Sequence, residues 1–262
     1  MQKVFSGIVL IIMSCLLFTH AVDSQGIEGK AELLEVFPLE KQIFTQGFER
    51  NEQGTLYLGS GKYGQSAVGI LDLTSGEWLT QVELPEQYFG EGLTIEGNHL
   101  WQLTWKEGKV FKWQLPDFTL LDTYSYLGQG WGVAYDADRS LFWLSDGSSQ
   151  LYQQDLENFK RLGQVTVTLL GREIDQLNEL EYAQGAIFAN IWYDNRIIKI
   201  DPETGQVIKV YDLSSILDQL PLSDEARRQM DSLNGIAHID QDRFYITGKY
   251  YPFVLEVRLK NE

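Results

Sequence analysis

Ten positions hold equivalent places in five similar segments of the chain, and several of them carry residue types that can do chemistry. They include one glutamate, Glu91, one lysine, Lys249, three amides and three tryptophans. Aromatic walls with a few convergent polar groups are typical of a pocket for a small molecule or a peptide end. The ten positions are Gln46, Ser60, Glu91, Trp105, Trp131, Asp146, Asn178, Trp192, Asn234 and Lys249.

Glu91 is the candidate general acid or base. It lies between Phe89 and Leu93, and apolar neighbours raise the pKa of a carboxyl group because they solvate its charged form poorly. Lys249 would oppose that shift, so the sequence leaves the net direction of the pKa change open. Two structural alternatives also stay open here: a plain Glu91–Lys249 ion pair, and tryptophans that only fill interfaces between repeats.

An internal repeat supplies the elements that must position these residues. Five segments begin with related motifs, and a second strand-like run follows each motif after a polar turn. The aligned positions Gln46, Glu91, Trp131, Asn178 and Asn234 are 45, 40, 47 and 56 residues apart. Repeats of this length with four strands each predict a β-propeller. The motifs are FTQGFE (44–49), FGEGLT (89–94), QGWGVAY (129–135), LNELEY (177–182) and LNGIAH (233–238), and the second runs are LYLGS (56–60), LWQLTW (100–105), LFWLSD (141–146), IFANIW (187–192) and FYITGK (244–249).

The predicted fold is therefore all-β, a five-bladed β-propeller formed by a single domain over residues 30–262. The fifth repeat stops after three strands, so we expect the N-terminal segment ELLEVFPLE (32–40) to supply its fourth strand and close the ring. A short helical insertion is predicted at about 213–232, with Ser223 as the N-cap of its helix. Because neighbouring strands in a blade are antiparallel, first strands start where second strands end, and the ten positions are predicted to meet at one face.

Residues 1–21 are predicted to be a signal peptide. Lys3 precedes an apolar run from Ile8 to Phe18, which is too short to span a membrane, and Ala21 is a suitable last residue before cleavage. We therefore expect an exported protein, periplasmic or extracellular, without stable membrane insertion. The alternative is a lipoprotein acylated at Cys15, although the apolar run continues beyond that residue. Cleavage near Ala21 would remove the only cysteine.

The composition excludes several classes of protein and site. A hydrophobic content of 44% excludes a disordered chain. The 262 residues include 21 Lys and Arg against 37 Asp and Glu, a formal net charge of −16, and such an acidic chain repels phosphate backbones, so no nucleic-acid partner is expected. Beyond residue 21 the only histidines are His99 and His238, which excludes a three-histidine zinc site. The run LGSGKYGQS (58–66) lacks the Lys-Ser/Thr of a phosphate loop and is interpreted as a turn.

The motifs together resemble those of the plant and bacterial type of glutaminyl-peptide cyclotransferases, the glutamine cyclotransferases. FTQG, FGEGLT, GWG, SDG, LNELEY, ANIW, LNGIA and TGK occur in the family's order between about Phe44 and Val257. The resemblance implies a five-bladed propeller that converts N-terminal glutaminyl residues of peptides and proteins to pyroglutamate and releases ammonia. It implies Glu91 as the general acid/base and no catalytic metal or cofactor. The pocket that it implies consists of Gln46, Phe44, Phe89, Trp105, Trp131, Asn178, Trp192 and Lys249.

Two functions of other kinds remain as alternatives. The first is a non-catalytic exported propeller that binds peptide or glycan ends at the tryptophan-lined mouth. The second is a lactonase-like hydrolase, which would need a metal in the central channel, where the mouth positions offer few carboxylates.

Overall fold

Strands dominate the computed structural model, which describes residues 26–261. Short runs rich in β-branched and aromatic residues alternate with Gly, Asn and Asp turns, and this pattern favours strands over helices. The all-β prediction is confirmed: the described residues contain twenty strands and two short helices. The predicted signal peptide and Cys15 lie outside the described residues.

Four-stranded antiparallel groups repeat along the chain, and each is built from consecutive strands. The first group contains the C-terminal part of β1 (Glu28–Arg50) with β2 (Leu56–Ser60), β3 (Ala67–Asp72) and β4 (Glu77–Glu83); the second contains β5 (Gly90–Glu96), β6 (His99–Thr104), β7 (Lys109–Gln114) and β8 (Thr119–Ser125); the third contains β9 (Val133–Asp136), β10 (Leu141–Ser145), β11 (Gln150–Asp155) and β12 (Arg161–Thr166). After a small hairpin of β13 (Thr168–Leu169) and β14 (Arg172–Glu173), the fourth contains β15 (Leu177–Ala183), β16 (Ala186–Ile191), β17 (Arg196–Ile200) and β18 (Val207–Asp212).

The fifth group joins the two ends of the described chain. It contains β19 (Leu233–Asp240), β20 (Arg243–Lys260) and the N-terminal part of β1. β20 pairs antiparallel with β19 from Arg243 to Gly248 and with β1 from Lys249 to Lys260. The sequence predicts separate second and third strands here, whereas the structure continues them as one strand, with Tyr250 at a φ of +59° where the pairing partner changes.

Two short helices follow β18. They are α1 (Ser214–Gln219) and α2 (Asp224–Gln229). Ser223 is the N-cap of α2, and its hydroxyl accepts a hydrogen bond from the Ala226 amide at 3.1 Å. Asp224 and Glu225 occupy the first turn, where carboxylates stabilise the positive end of the helix dipole. α1 has no comparable cap and was not predicted. Within residues 26–261, no helix has the length and apolar character needed to cross a membrane.

The hydrophobic core consists of five clusters, each shared by two neighbouring groups. Large side chains mark each cluster: Trp113 between the first and second groups, Trp101 between the second and third, Trp143 between the third and fourth, Phe188 between the fourth and fifth, and Phe48 between the fifth and first. The first strands of successive groups also contact one another, β1 with β5, β5 with β9, β9 with β15, β15 with β19 and β19 with β1. These inner strands carry the residues of the site.

Candidate active site

The inner strand β5 brings Glu91 into close contact with the next repeat. The amide of Gly92 donates to the Trp131 carbonyl at 2.8 Å. A Cβ at Gly92 would lie 2.7 Å from both the Trp131 carbonyl oxygen and the Gly132 Cα, so only glycine permits this approach. The GEG sequence therefore places Glu91 next to Trp131, although 40 residues separate them in the chain.

Glu91 is buried, and no side chain or backbone group of residues 26–261 forms a hydrogen bond with its carboxylate. Its residue exposure is 4%. Burial raises its pKa well above the ordinary value, the charge of Glu107 adds to that shift, and the charge of Lys249 opposes it. The direction that the sequence left open is therefore upward. A carboxyl group with a raised pKa and free oxygens can both accept and donate a proton near neutral pH.

Lys249 occupies the same buried region at the start of the second part of β20. Burial lowers its pKa, and the charges of Glu91 and Asp231 oppose the shift. Its ammonium nitrogen lies 5.2 Å from the centre of the Phe44 ring and 5.6 Å from that of Trp192. Among the ion pairs of residues 26–261, Glu91 and Lys249 form no direct pair. The two groups interact through their charges without a direct contact between them in this part of the chain.

Five predicted pocket residues form two aromatic walls around these charges. On one side, the ring centres of Phe44 and Phe89 are 6.2 Å apart, and those of Phe89 and Trp105 are 5.5 Å apart. On the other side, Trp131 and Trp192 meet edge to face at 5.3 Å. Ring contacts of this geometry stabilise an aromatic pair by more than the burial of its surface area alone would. The ammonium of Lys249 bridges the walls, since it contacts one ring from each.

Gln129 joins the two walls from the loop before β9, and sequence reasoning missed it. Its side-chain oxygen accepts hydrogen bonds from the indole nitrogens of Trp105, at 2.7 Å, and Trp131, at 3.3 Å. Gln129 is exposed and stands at none of the repeated positions. The only available signal was its place in the QGWG motif, two residues before Trp131.

The three amides at the aligned positions are all buried and differ in their hydrogen bonds. Asn234 is fully buried and donates to the Thr45 carbonyl at 3.0 Å and to the Gln46 side-chain oxygen at 3.3 Å. This bond orients Gln46. Asn178 is also buried, and its side-chain oxygen has no hydrogen-bond partner in residues 26–261. An unpaired buried acceptor is unfavourable, so a donor from a ligand would stabilise it.

Three of the ten aligned positions serve the scaffold instead of the mouth. Besides Asn234, the Ser60 hydroxyl bonds the backbone of Ala67 in the neighbouring strand. Asp146 organises its own loop through the hydroxyl of Ser148 and that of Tyr152. The equivalence of the repeats therefore predicts where a side chain lies but not what it contacts.

The predicted structural histidines lie outside the mouth. His99 pairs with Glu96 at 3.2 Å, and His238 contacts the Gln241 carbonyl at 3.0 Å. In the described part of the chain, no group of three or more His, Cys, Asp or Glu side chains is arranged to hold a metal ion.

Comparison with known proteins places this chain in a family. The sequence profile of the glutamine cyclotransferases matches residues 8–259. A glutaminyl-peptide cyclotransferase of Arabidopsis thaliana is 35% identical over 234 residues, which cover 88% of this chain and 72% of that protein. The crystal structure of the Myxococcus xanthus glutaminyl cyclase matches with a TM-score of 0.78 and 33% identity, covering 89% of this chain and 98% of that one. The chain therefore belongs to the glutamine cyclotransferase family.

Proposed function

We propose that this protein cyclises N-terminal glutaminyl residues of peptides and proteins to pyroglutamate and releases ammonia, with Glu91 as the general acid/base. The observation that carries the proposal is Glu91, a buried carboxylate without a hydrogen bond from residues 26–261, beside Trp131 and within electrostatic reach of Lys249, in a member of this family. A mouth that only bound peptide or glycan ends would gain nothing from burying an unbonded carboxylate, which is unfavourable.

The reaction requires one net proton transfer between two nitrogens of the substrate. The neutral α-amine attacks the side-chain amide carbon, a carbon–nitrogen bond forms, and the bond to the amide nitrogen breaks. The attacking nitrogen loses a proton and the departing nitrogen gains one, so ammonia leaves. In this scheme Glu91 takes the first proton and delivers the second. General acid–base catalysis of this kind contributes about 10²–10⁴-fold to a rate.

The remaining pocket residues would orient the substrate. The walls of Phe44, Phe89, Trp105, Trp131 and Trp192 hold the glutaminyl side chain folded for ring closure, which removes part of the entropic barrier. We assign Asn178 and Gln46 to the amide and amine of the substrate, and the unpaired oxygen of Asn178 suits a donor there. Lys249 would stabilise the developing oxyanion.

The arrangement of the strand groups is also proposed here. We infer that the five strand groups are the blades of one five-bladed propeller domain over residues 30–262, closed by β1 in the fifth blade. The pairing of β1 with β20 and the five shared core clusters support that arrangement. We also propose that residues 1–21 direct export to the periplasm or the cell exterior, and that catalysis needs no metal.

A cyclisation assay tests the activity directly. Residues 22–262 are incubated with a Gln-initiated peptide, and mass spectrometry is expected to detect the loss of one ammonia from the peptide. The same peptide with an acetylated α-amine is the control, since it lacks the attacking nitrogen. Binding of the free peptide without a mass change would support the non-catalytic alternative.

Chelator treatment tests the proposed metal independence and is expected to leave the cyclisation rate unchanged. A loss of activity that zinc restores would contradict that proposal.

A further inference from the structure

A groove adjoins the mouth on the side of Phe44. Its volume is about 510 Å³, within the roughly 300–1,000 Å³ of ligand pockets. Phe44 lines both the groove and the mouth, and Tyr250 in the groove wall packs edge-on against Phe44 at 5.2 Å. Two other cavities, of about 460 and 360 Å³, share no residue with the mouth.

The chemistry of cyclisation requires a path by which the rest of the peptide leaves the mouth. Only the first residue of a peptide substrate takes part in the reaction, and the rest of the peptide extends from its carbonyl group. With the glutaminyl side chain between the aromatic walls, the following residues must leave the mouth past one of its sides. The groove lies on the side of Phe44, the residue that it shares with the mouth.

Lys62 provides an unpaired positive charge on this exit. Its ammonium nitrogen lies 5.1 Å from the Phe44 ring centre and 5.0 Å from that of Tyr250. Lys62 is partly buried, and within residues 26–261 it forms no ion pair. An ammonium held between two rings without a carboxylate partner can pair with an acidic side chain of a ligand.

The backbone holds Lys62 in an unfavourable conformation. Its φ is +102°, a region that glycine adopts readily and other residues rarely do. The turn is fixed by the Lys62 carbonyl, which accepts hydrogen bonds from the Gln65 amide at 3.0 Å and the Ser66 hydroxyl at 2.7 Å. Ser66 in turn accepts from the Gly90 amide at 2.8 Å, next to Glu91. Glycine would adopt this φ with less backbone strain, so the turn orients a lysine side chain at the expense of conformational free energy.

The opposite charge occurs elsewhere in the groove lining. Glu40 and Glu77 lie close enough that the carboxylate of Glu40 raises the pKa of Glu77. Lys41 lines the same part of the groove, and its charge opposes the shift. The charges there are therefore mixed, whereas Lys62 lies against Phe44 and Tyr250.

We propose that this groove binds the residues following the N-terminal glutamine of a peptide substrate, and that Lys62 selects an acidic side chain at the second or third position. This inference rests on the proposed cyclisation and adds a substrate class to it. Exposed or partly exposed charge pairs of this kind give a preference of roughly two- to fivefold.

Five-residue peptides test the selection. Each begins with Gln and carries one Glu or one Lys at position two, three or five, and kcat/KM is measured for each at low salt. The unmodified protein is expected to prefer Glu over Lys about two- to fivefold at position two or three, and not at position five. Lys62→Gln is expected to abolish the preference, and Lys106→Gln, which removes the lysine over Trp105 in the same aromatic wall, is expected to keep it.

Two results would overturn the inference: no preference in the unmodified protein, or an equal preference in Lys62→Gln. The proposed function is tested separately by assaying whether the unmodified protein cyclises a single-residue substrate, glutaminyl naphthylamide. Failure of that reaction rejects the cyclase itself. Cyclisation without any charge preference rejects only the groove.

Lys62→Gly keeps the test independent of folding defects. Glycine relaxes the positive φ, so this variant is expected to unfold at a higher temperature than the unmodified protein and still lose the preference for acidic residues. A more stable variant that retains the preference would show that a group other than Lys62 binds the acidic side chain of the peptide, and would reject the role of Lys62.

Discussion

Glu91 and Lys249 are buried opposite charges that interact without forming a direct ion pair. Burial shifts each pKa towards the neutral form of its group, and each charge partly reverses the shift of the other. Two aromatic rings, those of Phe44 and Trp192, contact the ammonium of Lys249. Two opposite charges kept apart in a poorly solvated site can act on different atoms of one substrate.

Glu91→Gln is expected to abolish turnover while leaving the fold intact. Glutamine has nearly the same shape but cannot carry the proton, so kcat for glutaminyl naphthylamide should fall about 10²–10⁴-fold. Circular dichroism and thermal unfolding check the fold. Glu96→Gln is the matched control, because Glu96 lies on the same strand, β5, and pairs with His99 outside the mouth. Near-normal activity in Glu91→Gln would reject the proposed mechanism.

Lys249→Met is expected to move the acidic limb of the pH–rate profile to higher pH. The positive charge of Lys249 lowers the pKa of Glu91, so its removal raises that pKa further, and the carboxylate form needed to accept a proton appears only at higher pH. The substrate amine titrates identically with both proteins, so the difference between profiles reports Glu91. Lys249→Arg keeps the charge and should keep the limb in place. A shift to lower pH would contradict the electrostatic coupling.

Much of the strand layout was predictable because it follows from local patterns. The second strand of the first repeat was predicted at residues 56–60 and β2 spans Leu56–Ser60. The repeat identified Glu91 and the three tryptophans because equivalent positions in repeats occupy equivalent places, whereas Phe44 and Phe89 followed only from the family resemblance. The roles of Ser60 and Asn234 were not, since both bond to the scaffold through contacts between strands that no local pattern encodes.

Gln129→Leu is expected to raise KM for glutaminyl naphthylamide several-fold. Leucine fills a similar volume but cannot accept the indole hydrogen bonds of Trp105 and Trp131, so both rings lose their common anchor. Each lost bond is worth about 1 kcal/mol. Gln129→Glu retains an acceptor and should retain a nearly normal KM. Equal kinetics for the two variants would show that Gln129 does not position the walls.

Gly147→Ala is expected to raise KM by displacing Trp131. A Cβ at this position would lie 2.6 Å from the Trp131 ring, and the φ of +84° is itself unfavourable for alanine. Gly128→Ala is the matched control: its φ is +92°, but a Cβ there meets no atom within 4 Å. Both variants should lose about 1 kcal/mol of stability from the positive φ. A KM change in both or in neither would contradict a specific effect on Trp131.

A second group of buried acids lies at the other end of the inner strands. Glu49 and Glu181 line the cavity of about 460 Å³ there. The oxygens of Glu179 accept the backbone amides of Phe48 at 3.4 Å and Ile236 at 2.9 Å. Sequence reasoning did not identify these acids, because carboxylates on an alternating strand usually indicate its solvent face. Here the inner strands turn that face towards one another.

These acids predict a stability that falls as pH rises through neutrality. Burial raises the pKa of Glu49 from its ordinary 4.5 to about 7, and burial with the neighbouring charges raises the pKa of Glu181 and Glu179. A group whose pKa is raised on folding stabilises the protein below its unfolded pKa, and this contribution is lost as pH rises through the folded value. Acids whose pKa is lowered on folding, such as Asp201 and Asp212, change the unfolding free energy only at lower pH.

Urea unfolding at pH 5.5 and pH 8.5 measures the effect, with the free energy of unfolding expected to be on the order of 2 kcal/mol lower at the higher pH. Glu49→Gln removes one ionising group while keeping an acceptor for the Thr94 hydroxyl, so its unfolding free energy should depend less on pH. Glu52→Gln, at an exposed acid three residues further on, should keep the full dependence. A stability that rises between these two pH values would mean that Glu49 and its neighbours are ionised in the native protein, and therefore that a bound cation or a rearranged channel compensates their charge.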